Sequence, residues 1–448
     1  MFGKNEFLSI FRRIKRKDFT GNEGLVIKNS VYQISRTIVA KGGGLLFTII
    51  LARFLMPELF GLYSLALATI FIFIGFSDLG ISSSIVKFIS NSLGKNKQEK
   101  AKEYFIYLFK LKIFLVLIVL IILILSSWFI SNYYYDKPIF LALIAGSLYV
   151  FSLSLVTFME SLFFSVNKFK DVVYKEIIFQ FSKLIFILII IFILMRKSFS
   201  EEFTIFLIIL SLSLSCFLSL IYLFLRAKKK IIFLRAKQKK LRKSEEKKLN
   251  KFILPLTVLA LSGLFLGNID IVMLGHFVES QFIGYYSAAL LLIGSAGAFL
   301  GFSVALFPIF SRLKGKKLKN ALKKSINVVF SISTIFVILF LIFSPIIIKI
   351  VYGANYFSSI NLLRIFSLIL IPVPLVAIYT NYFISKGNTK LIAKLLISIT
   401  IINIILNYIF ISVLVRQSPI LGTMGAVIAT IFSVYLHLGL LIFFSRKN

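Results

Sequence analysis

Runs of about 20 apolar residues recur along the whole chain, and this is the length a helix needs to cross the ~30 Å hydrocarbon core of a bilayer. Twelve stretches qualify, near 31–54, 60–80, 105–129, 139–160, 174–195, 203–225, 252–274, 283–307, 326–350, 360–383, 392–414 and 421–444. Of the 448 residues, 59% are hydrophobic. A soluble fold of that size has too little interior to hide them, because surface does not shrink fast enough with mass. The expectation is an all-α integral membrane protein with no soluble domain.

The 52 Lys and Arg outnumber the 17 Asp and Glu, for a net charge of +35. Such an excess can mark a nucleic-acid surface, but its distribution points elsewhere. With a cytoplasmic N-terminus, the inner segments are 1–28, 87–102, 167–175, 226–251, 312–324, 386–394 and 446–448, and they hold 40 of the 52 basic residues. The outer loops hold few: "NYYYDKP" has one and "VESQ" none. This is the positive-inside pattern. It predicts a multi-pass protein of the cytoplasmic membrane, with both termini inside, whose basic loops meet anionic lipid and not nucleic acid. Trp128 and Tyr133 to Tyr135 fit an outer aromatic belt. Residues 2–17 read either as an interfacial helix or as a disordered basic tail. No short apolar core with an A-x-A-like site follows, so no signal peptide is expected. The lone Cys216 permits no intramolecular disulfide, and His276 and His437 have no ligand spacing, so no metal site is expected.

The longest basic segment, Arg226 to Lys251, falls after the sixth span and divides the chain. The expected organisation is a basic segment over 1–28, an N-lobe over 29–226, a cytoplasmic linker over 227–250 and a C-lobe over 251–448. The halves resemble each other. "ARFLMPELFGLYSLAL" from Ala52 matches "GHFVESQFIGYYSAAL" from Gly275 at a constant offset of 223. Phe54 meets Phe277, Gly61 meets Gly284, Tyr63 meets Tyr286, Ser64 meets Ser287 and Ala66 meets Ala289. With six spans per half the repeat is parallel, about an axis along the membrane normal. The expected fold is therefore twelve transmembrane helices in two six-helix lobes around a central cavity, suited to alternating access by rocking of the lobes. Chance similarity of apolar text is the competing reading; in-register Gly and Tyr matches argue against it.

At these residues the sequence resembles a known family. "ARFLMPELFGLYSLA", "DLGISSSIVKFIS", "NIDIVMLGHF…IGYYSAA" and "GTMGAVIAT" are similar to segments of the polysaccharide (O-antigen type) flippases, within the multidrug/oligosaccharidyl-lipid/polysaccharide exporter superfamily. The resemblance covers about residues 25–445. It implies a V-shaped bundle of two six-helix lobes that moves polyprenyl-pyrophosphate-linked sugars from the inner to the outer leaflet. The implied partners are a lipid-linked oligosaccharide, membrane lipid and polysaccharide-assembly enzymes; whether such enzymes dock on the basic inner loops stays open in the sequence. It implies no catalytic residue, and no cofactor beyond coupling to Na+ or H+.

A dianionic head group crossing a low-dielectric passage needs compensating cations. On the first span Thr37, Lys41, Gly44 and Thr48 form one small and polar stripe. Lys41 is the candidate for meeting a phosphate in transit, and Arg36, about 140° round the helix, for receiving it at the inner mouth. On the fifth span Glu176, Gln180 and Lys183 form a second stripe, read either as substrate and coupling residues or as a structural Lys–Glu pair. On the seventh, Asp270 stands beside Asn268; it either binds a coupling cation or proton or pairs with Lys41 or Lys183. Arg53 and Arg364 are further substrate-binding candidates, with snorkelling as the plain reading. Asp78 and Glu160 are gating candidates near the inner ends of their spans. Asn403 and Asn407, at i and i+4, line the C-lobe wall or bond between helices.

Two other functions compete. A multidrug exporter of the same superfamily would favour acids and aromatics for cationic substrates, whereas the mid-span charges here lean cationic. A polytopic glycan polymerase would need paired acids or histidines on sizeable outer loops, which this chain does not offer.

Overall fold

The computed structural model describes residues 21–237, 240–299 and 315–447. The helix expected over 2–17 and the end of the eighth span, 300–307, lie outside the described residues. Helices dominate and no strand occurs among the described residues. In a bilayer only a helix or a closed barrel satisfies every backbone N–H and C=O internally.

The helices are α1 (Gly21–Phe76), α2 (Ile81–Gly94), α3 (Gln98–Phe129), α4 (Phe140–Ser165), α5 (Phe169–Arg196), α6 (Glu201–Lys230), α7 (Lys243–Phe277), α8 (Ser280–Phe299), α9 (Gly315–Val351), α10 (Ser359–Ser367), α11 (Pro372–Ser385), α12 (Thr389–Leu414) and α13 (Pro419–Lys447). Ten runs among the described residues are long and apolar enough to cross a membrane. The first holds two of the expected spans. It breaks at Met56, whose φ of 60° and ψ of 174° are not helical. Pro57 follows, where its missing N–H and fixed φ suit the first residue of a new helix. The 20-residue α8 carries the described part of the eighth span. These elements account for the twelve spans. The tenth is α10 and α11 joined by a tight turn at Leu368–Leu370, before Pro372.

The chain forms two compact units. The first takes the chain through Phe47, Phe73–Phe129 and Phe140–Ala260; the second takes Thr48–Ile72, Ile130–Ile139 and Leu261–Asn448.

In the first unit α4 is the central helix, packed along its length on α6. Close approach follows from small residues: Ser213 Oγ donates to the Ala145 carbonyl at 3.1 Å. The outward faces of α3 and α5 carry exposed Phe114, Leu117, Ile121, Leu125, Ile185 and Phe192, as lipid-facing surfaces should. The short α2 is an addition to the expected spans. Ile81, Ile85, Phe88 and Ile89 are buried on one face, the i, i+4, i+7 pattern of an amphipathic helix. Lys112 of α3 is wholly buried; its ammonium donates to Ser77 O at 2.8 Å and to Asp78 Oδ1 at 3.2 Å. Asp171, at the start of α5, accepts from Arg226 Nε at 2.9 Å and Lys230 Nζ at 2.8 Å, at the end of α6.

In the second unit the glycines matched by the internal repeat meet at one crossing. A Cβ on Gly61 would fall 1.8 Å from Ser280 O, and one on Gly284 would fall 1.9 Å from Pro57 O. Only glycine allows backbones that close. Around this crossing Tyr356 donates to Ala52 O at 2.9 Å. Arg53 donates from Nε to Val351 O at 2.8 Å, and from Nη2 to Ile350 O, capping the C-terminal end of α9. Lys137 donates to Gly275 O at 2.6 Å, in the last turns of α7. Burial pulls the Lys137 pKa below the usual lysine value, against the opposing influence of Asp136 and Glu279. Helices α12 and α13 pack closely where a Cβ on Gly425 would meet Phe410 O at 2.7 Å.

Candidate functional site

The first unit carries a buried ionic cluster. Glu160 on α4, Lys175 and Glu176 on α5 and Arg36 on α1 converge. Arg36 Nη2 reaches Glu160 Oε2 at 2.7 Å, and its Nε lies 3.8 Å from Glu176 Oε2. Lys175 Nζ sits 2.5 Å from Glu160 Oε1 and 2.8 Å from Glu176 Oε2. Gln180 Nε2 donates to Glu176 Oε1 at 2.8 Å. Two cations and two carboxylates neutralise one another, which is what lets Glu160, Lys175 and Glu176 stay buried beside the part-exposed Arg36. Gln180 lies against α1, because a Cβ on Gly43 would fall 2.9 Å from the Gln180 Cβ. Thus Arg36 is engaged by acids in this arrangement, and Glu160 and Glu176 act as its partners.

Two cations remain outside that balance. Lys183, one turn beyond Gln180, is 5% exposed. Its ammonium lies 4.6 Å from the Phe47 ring centroid and 5.2 Å from that of Phe179, with no carboxylate within salt-bridge distance among the described residues. Lys41 is exposed and makes no ion pair among the described residues. Thr37 is exposed beside it, Gly44 and Thr48 are half-buried, and a Cβ on Gly42 or Gly44 would meet nothing within 4 Å. The stripe read from the sequence is an open face, which Lys41 shares with exposed Ile34 and Ile38.

The second unit holds an acid with no cation partner among the described residues. Asp270 of α7, 5% exposed, accepts from Tyr286 at 2.7 Å, Asn407 Nδ2 at 2.9 Å and Thr430 at 2.6 Å, all neutral donors. Asn407 also donates to Asn403 O at 3.0 Å, and Asn403 Nδ2 to Ser433 Oγ at 3.3 Å. The side-chain oxygens of Asn403 and Asn407 are buried without a donor among the described residues. A group of acceptors with that deficit suits a proton or a small cation.

The remaining candidates sit apart from these clusters. Arg53 caps α9 as described. Arg364 of α10 is half-buried, and its Nε has no hydrogen-bond partner among the described residues. Asp78 is held by Lys112 and by Ser82, whose hydroxyl donates to it. Asn268 bonds back to Leu264 O on its own helix at 3.0 Å.

Sequence reasoning missed Lys112, Lys175, Tyr286 and Thr430. Lys112 was legible as a charge inside an apolar run, "KLKIFLVLIV". Tyr286 and Thr430 both lie in segments singled out for other reasons, the repeat and "GTMGAVIAT".

The sequence model of the polysaccharide biosynthesis protein family matches residues 26–314, more than half of the chain. The chain belongs to that family. Three solved structures share its fold. A lipid II flippase, MurJ, in an inward closed conformation superposes with a TM-score of 0.70 at 17% identity, over 93% of this chain and 87% of that one. An inward-facing multidrug resistance transporter of the MATE family and MOP superfamily gives 0.67 at 14% identity, over 93% and 97%. A MOP superfamily transporter from Pyrococcus furiosus gives 0.61 at 15% identity, over 96% of each chain. Comparison with curated protein sequences finds no match. The family member described here is thus a multi-pass membrane protein with the twelve-helix, two-lobe transporter fold of that superfamily.

Proposed function

We propose that the chain is a flippase. It carries a polyprenyl-(pyro)phosphate-linked oligosaccharide from the inner to the outer leaflet of the cytoplasmic membrane by alternating access, for cell-surface polysaccharide assembly. Membership in the polysaccharide biosynthesis family supports this, as does the likeness to a fold that a lipid II flippase uses. The alternation of basic loops supports cytoplasmic termini. The basic loops are also the proposed docking surface for assembly enzymes.

The observation that carries the reading is Lys183. A lysine buried among helices costs several kcal/mol in effect if nothing compensates it, roughly 2.5–3.5 kcal/mol even on lenient insertion scales. The nearby carboxylates are already bound to Arg36 and Lys175. Two phenylalanine faces hold the ammonium ready without neutralising it. A diphosphate would supply the missing negative charge. Lys41, on its open face between isoleucines, offers a second contact to a ligand with an anionic head and an isoprenoid tail. Arg36 joins only when Glu160 releases it, so the cluster is a reserve cation with a restoring force.

Coupling is assigned to Asp270. With two acceptor oxygens of Asn403 and Asn407 lacking donors, the cluster is suited to Na+; protonation of Asp270 would neutralise the acid alone. No step of bond breaking is required of the protein, which acts as a transporter and not an enzyme. A cationic drug as substrate would need free acids, and the buried acids of the first unit are ion-paired.

The test is reconstitution. The purified protein in vesicles should move a fluorescent polyprenyl-diphosphate oligosaccharide from a protected to a quencher-accessible leaflet. Unchanged distribution in the presence of an imposed Na+ or H+ gradient, with efflux of organic cations instead, would overturn the reading.

A further inference from the structure

A second site lies in the first unit, away from the ionic cluster. It is a pocket of about 580 Å³ formed by α2, the turn that follows it, the start of α3 and the start of α7. That volume is in the range of small-ligand sites, about 300–1,000 Å³. Five lysines line it without a salt bridge among the described residues: Lys87, Lys95, Lys97, Lys248 and Lys251. The one acid that lines it, Glu245, is occupied, receiving Lys100 Nζ at 2.7 Å and the Tyr104 hydroxyl. Glu99, on the same turn as Lys100, does not line the pocket.

Two features favour an anion here. Five like charges face one concavity. The first turns of two long helices, α3 and α7, also line it, bringing the positive ends of two helix dipoles. Lys97, Lys100 and Lys248 stand at those ends, where a cation is disfavoured and an anion favoured. The floor is aromatic. Phe88 lies 5.1 Å from the Tyr104 centroid and 5.6 Å from that of Phe252, and the Lys87 ammonium is held 3.6 Å above the Phe252 ring. The turn carrying Lys95 and Lys97 is fixed by Asn96 at φ 56° and by Lys97 N donating to Ser92 O at 2.9 Å, so these lysines are set by the backbone and not by a loose tail.

We infer that this pocket binds a phosphate-bearing ligand, at the level of a diphosphate or a phosphomonoester dianion, between lysines of α2–α3 and of α7. The ligand ties the first turns of α7 to the α2–α3 turn. The same chemistry is available from an anionic lipid head group or from a soluble diphosphate. The inference does not depend on which substrate the chain carries across the membrane.

The experiment uses the full-length protein in nanodiscs. In the first arm, inorganic pyrophosphate is titrated into protein held in a neutral phosphatidylcholine disc. In the second, native mass spectrometry counts phosphatidic acid retained from discs that contain it. The test variant is Lys95→Gln/Lys97→Gln/Lys251→Gln. The control is Lys228→Gln/Lys229→Gln/Lys237→Gln, which removes equal charge from basic positions outside the pocket. The expected result is binding in at least one arm, weakened roughly tenfold or more in the test variant and about twofold or less in the control, as charge-assisted contacts at a built site require. Binding of pyrophosphate identifies a soluble source, and retention of phosphatidic acid alone identifies a lipid head group. Equal weakening in test and control variants would reduce the pocket to diffuse electrostatics and overturn the inference, as would no binding in either arm. If the triple variant does not fold, the single Lys251→Gln, exposed on α7, should still weaken binding measurably; an unchanged affinity there counts against the site.

Discussion

Lys112 and Lys183 are both buried lysines in apolar helices, yet they differ in what surrounds them. Lys112 has a carboxylate and a carbonyl, so its charge is answered inside the protein. Lys183 has two aromatic faces and no ion pair among the described residues. The first is therefore assigned to stability, and the second is the cation proposed for binding. Removing Asp78 leaves Lys112 uncompensated, so Asp78→Ala should destabilise by about 3–5 kcal/mol. The lower end is expected, since the Asp78 side chain is 28% exposed. Asp78→Ala with Lys112→Met should recover most of that loss, because an apolar pair of similar volume is tolerated where a lone charge is not. Thermal melting in detergent checks this. Additive losses in the double variant would show that the pair does not act as one. At this scale the sequence was partly readable. It flagged Lys183 and Asp270 as charges at membrane depth, and Glu176 as a charge able to pair. It could not say that Glu160 and Arg36 meet, because they lie 124 residues apart and only packing joins them.

Among the elements, the crossing of Gly61 with Ser280 and Gly284 explains why the internal repeat kept glycine at both positions. Each glycine is the place where the other's neighbouring backbone passes. Any side chain there pushes the helices apart. Nearby, Asn355 Nδ2 lies 3.1 Å from Met56 Sδ. In a Cys216→Ser background, Met56→Cys with Asn355→Cys should cross-link readily under mild oxidation. Adding Gly61→Val should cut the cross-linked fraction several-fold, because the added carbon atoms cannot fit at under 2 Å from a carbonyl oxygen. An unchanged yield would mean that the crossing yields without cost. Twelve spans were legible because a bilayer dictates length and composition. The break at Met56 was less so: Pro57 marks a boundary, but a left-handed methionine before it has no sequence signature. Helix α2 was missed because its 14 residues fall below the length of a span, although its apolar period was present.

For the whole molecule, the account separates a cationic site in one unit from an acidic, cation-poor site in the other. On the proposed roles, substrate charge and coupling charge stand on different helices. If Asp270 is the coupling group, Asp270→Asn should leave binding of the lipid-linked sugar within about twofold while making transport insensitive to a Na+ or proton gradient. Vesicle flux with and without the gradient measures this; gradient-dependent flux in the variant would remove Asp270 from coupling. The state of each charge, paired or unpaired, became visible only with the fold. The most direct test of the central claim is the leaflet distribution of lipid-linked oligosaccharide in cells lacking the gene. Such cells would be complemented with the wild type, Lys183→Arg or Lys183→Ala at equal protein level. The account predicts inner-leaflet accumulation in the deletion, relieved by the wild type, largely relieved by Lys183→Arg, and relieved roughly tenfold or more less well by Lys183→Ala, the loss of one charged contact. Full relief by Lys183→Ala would contradict the claim that this cation meets the substrate.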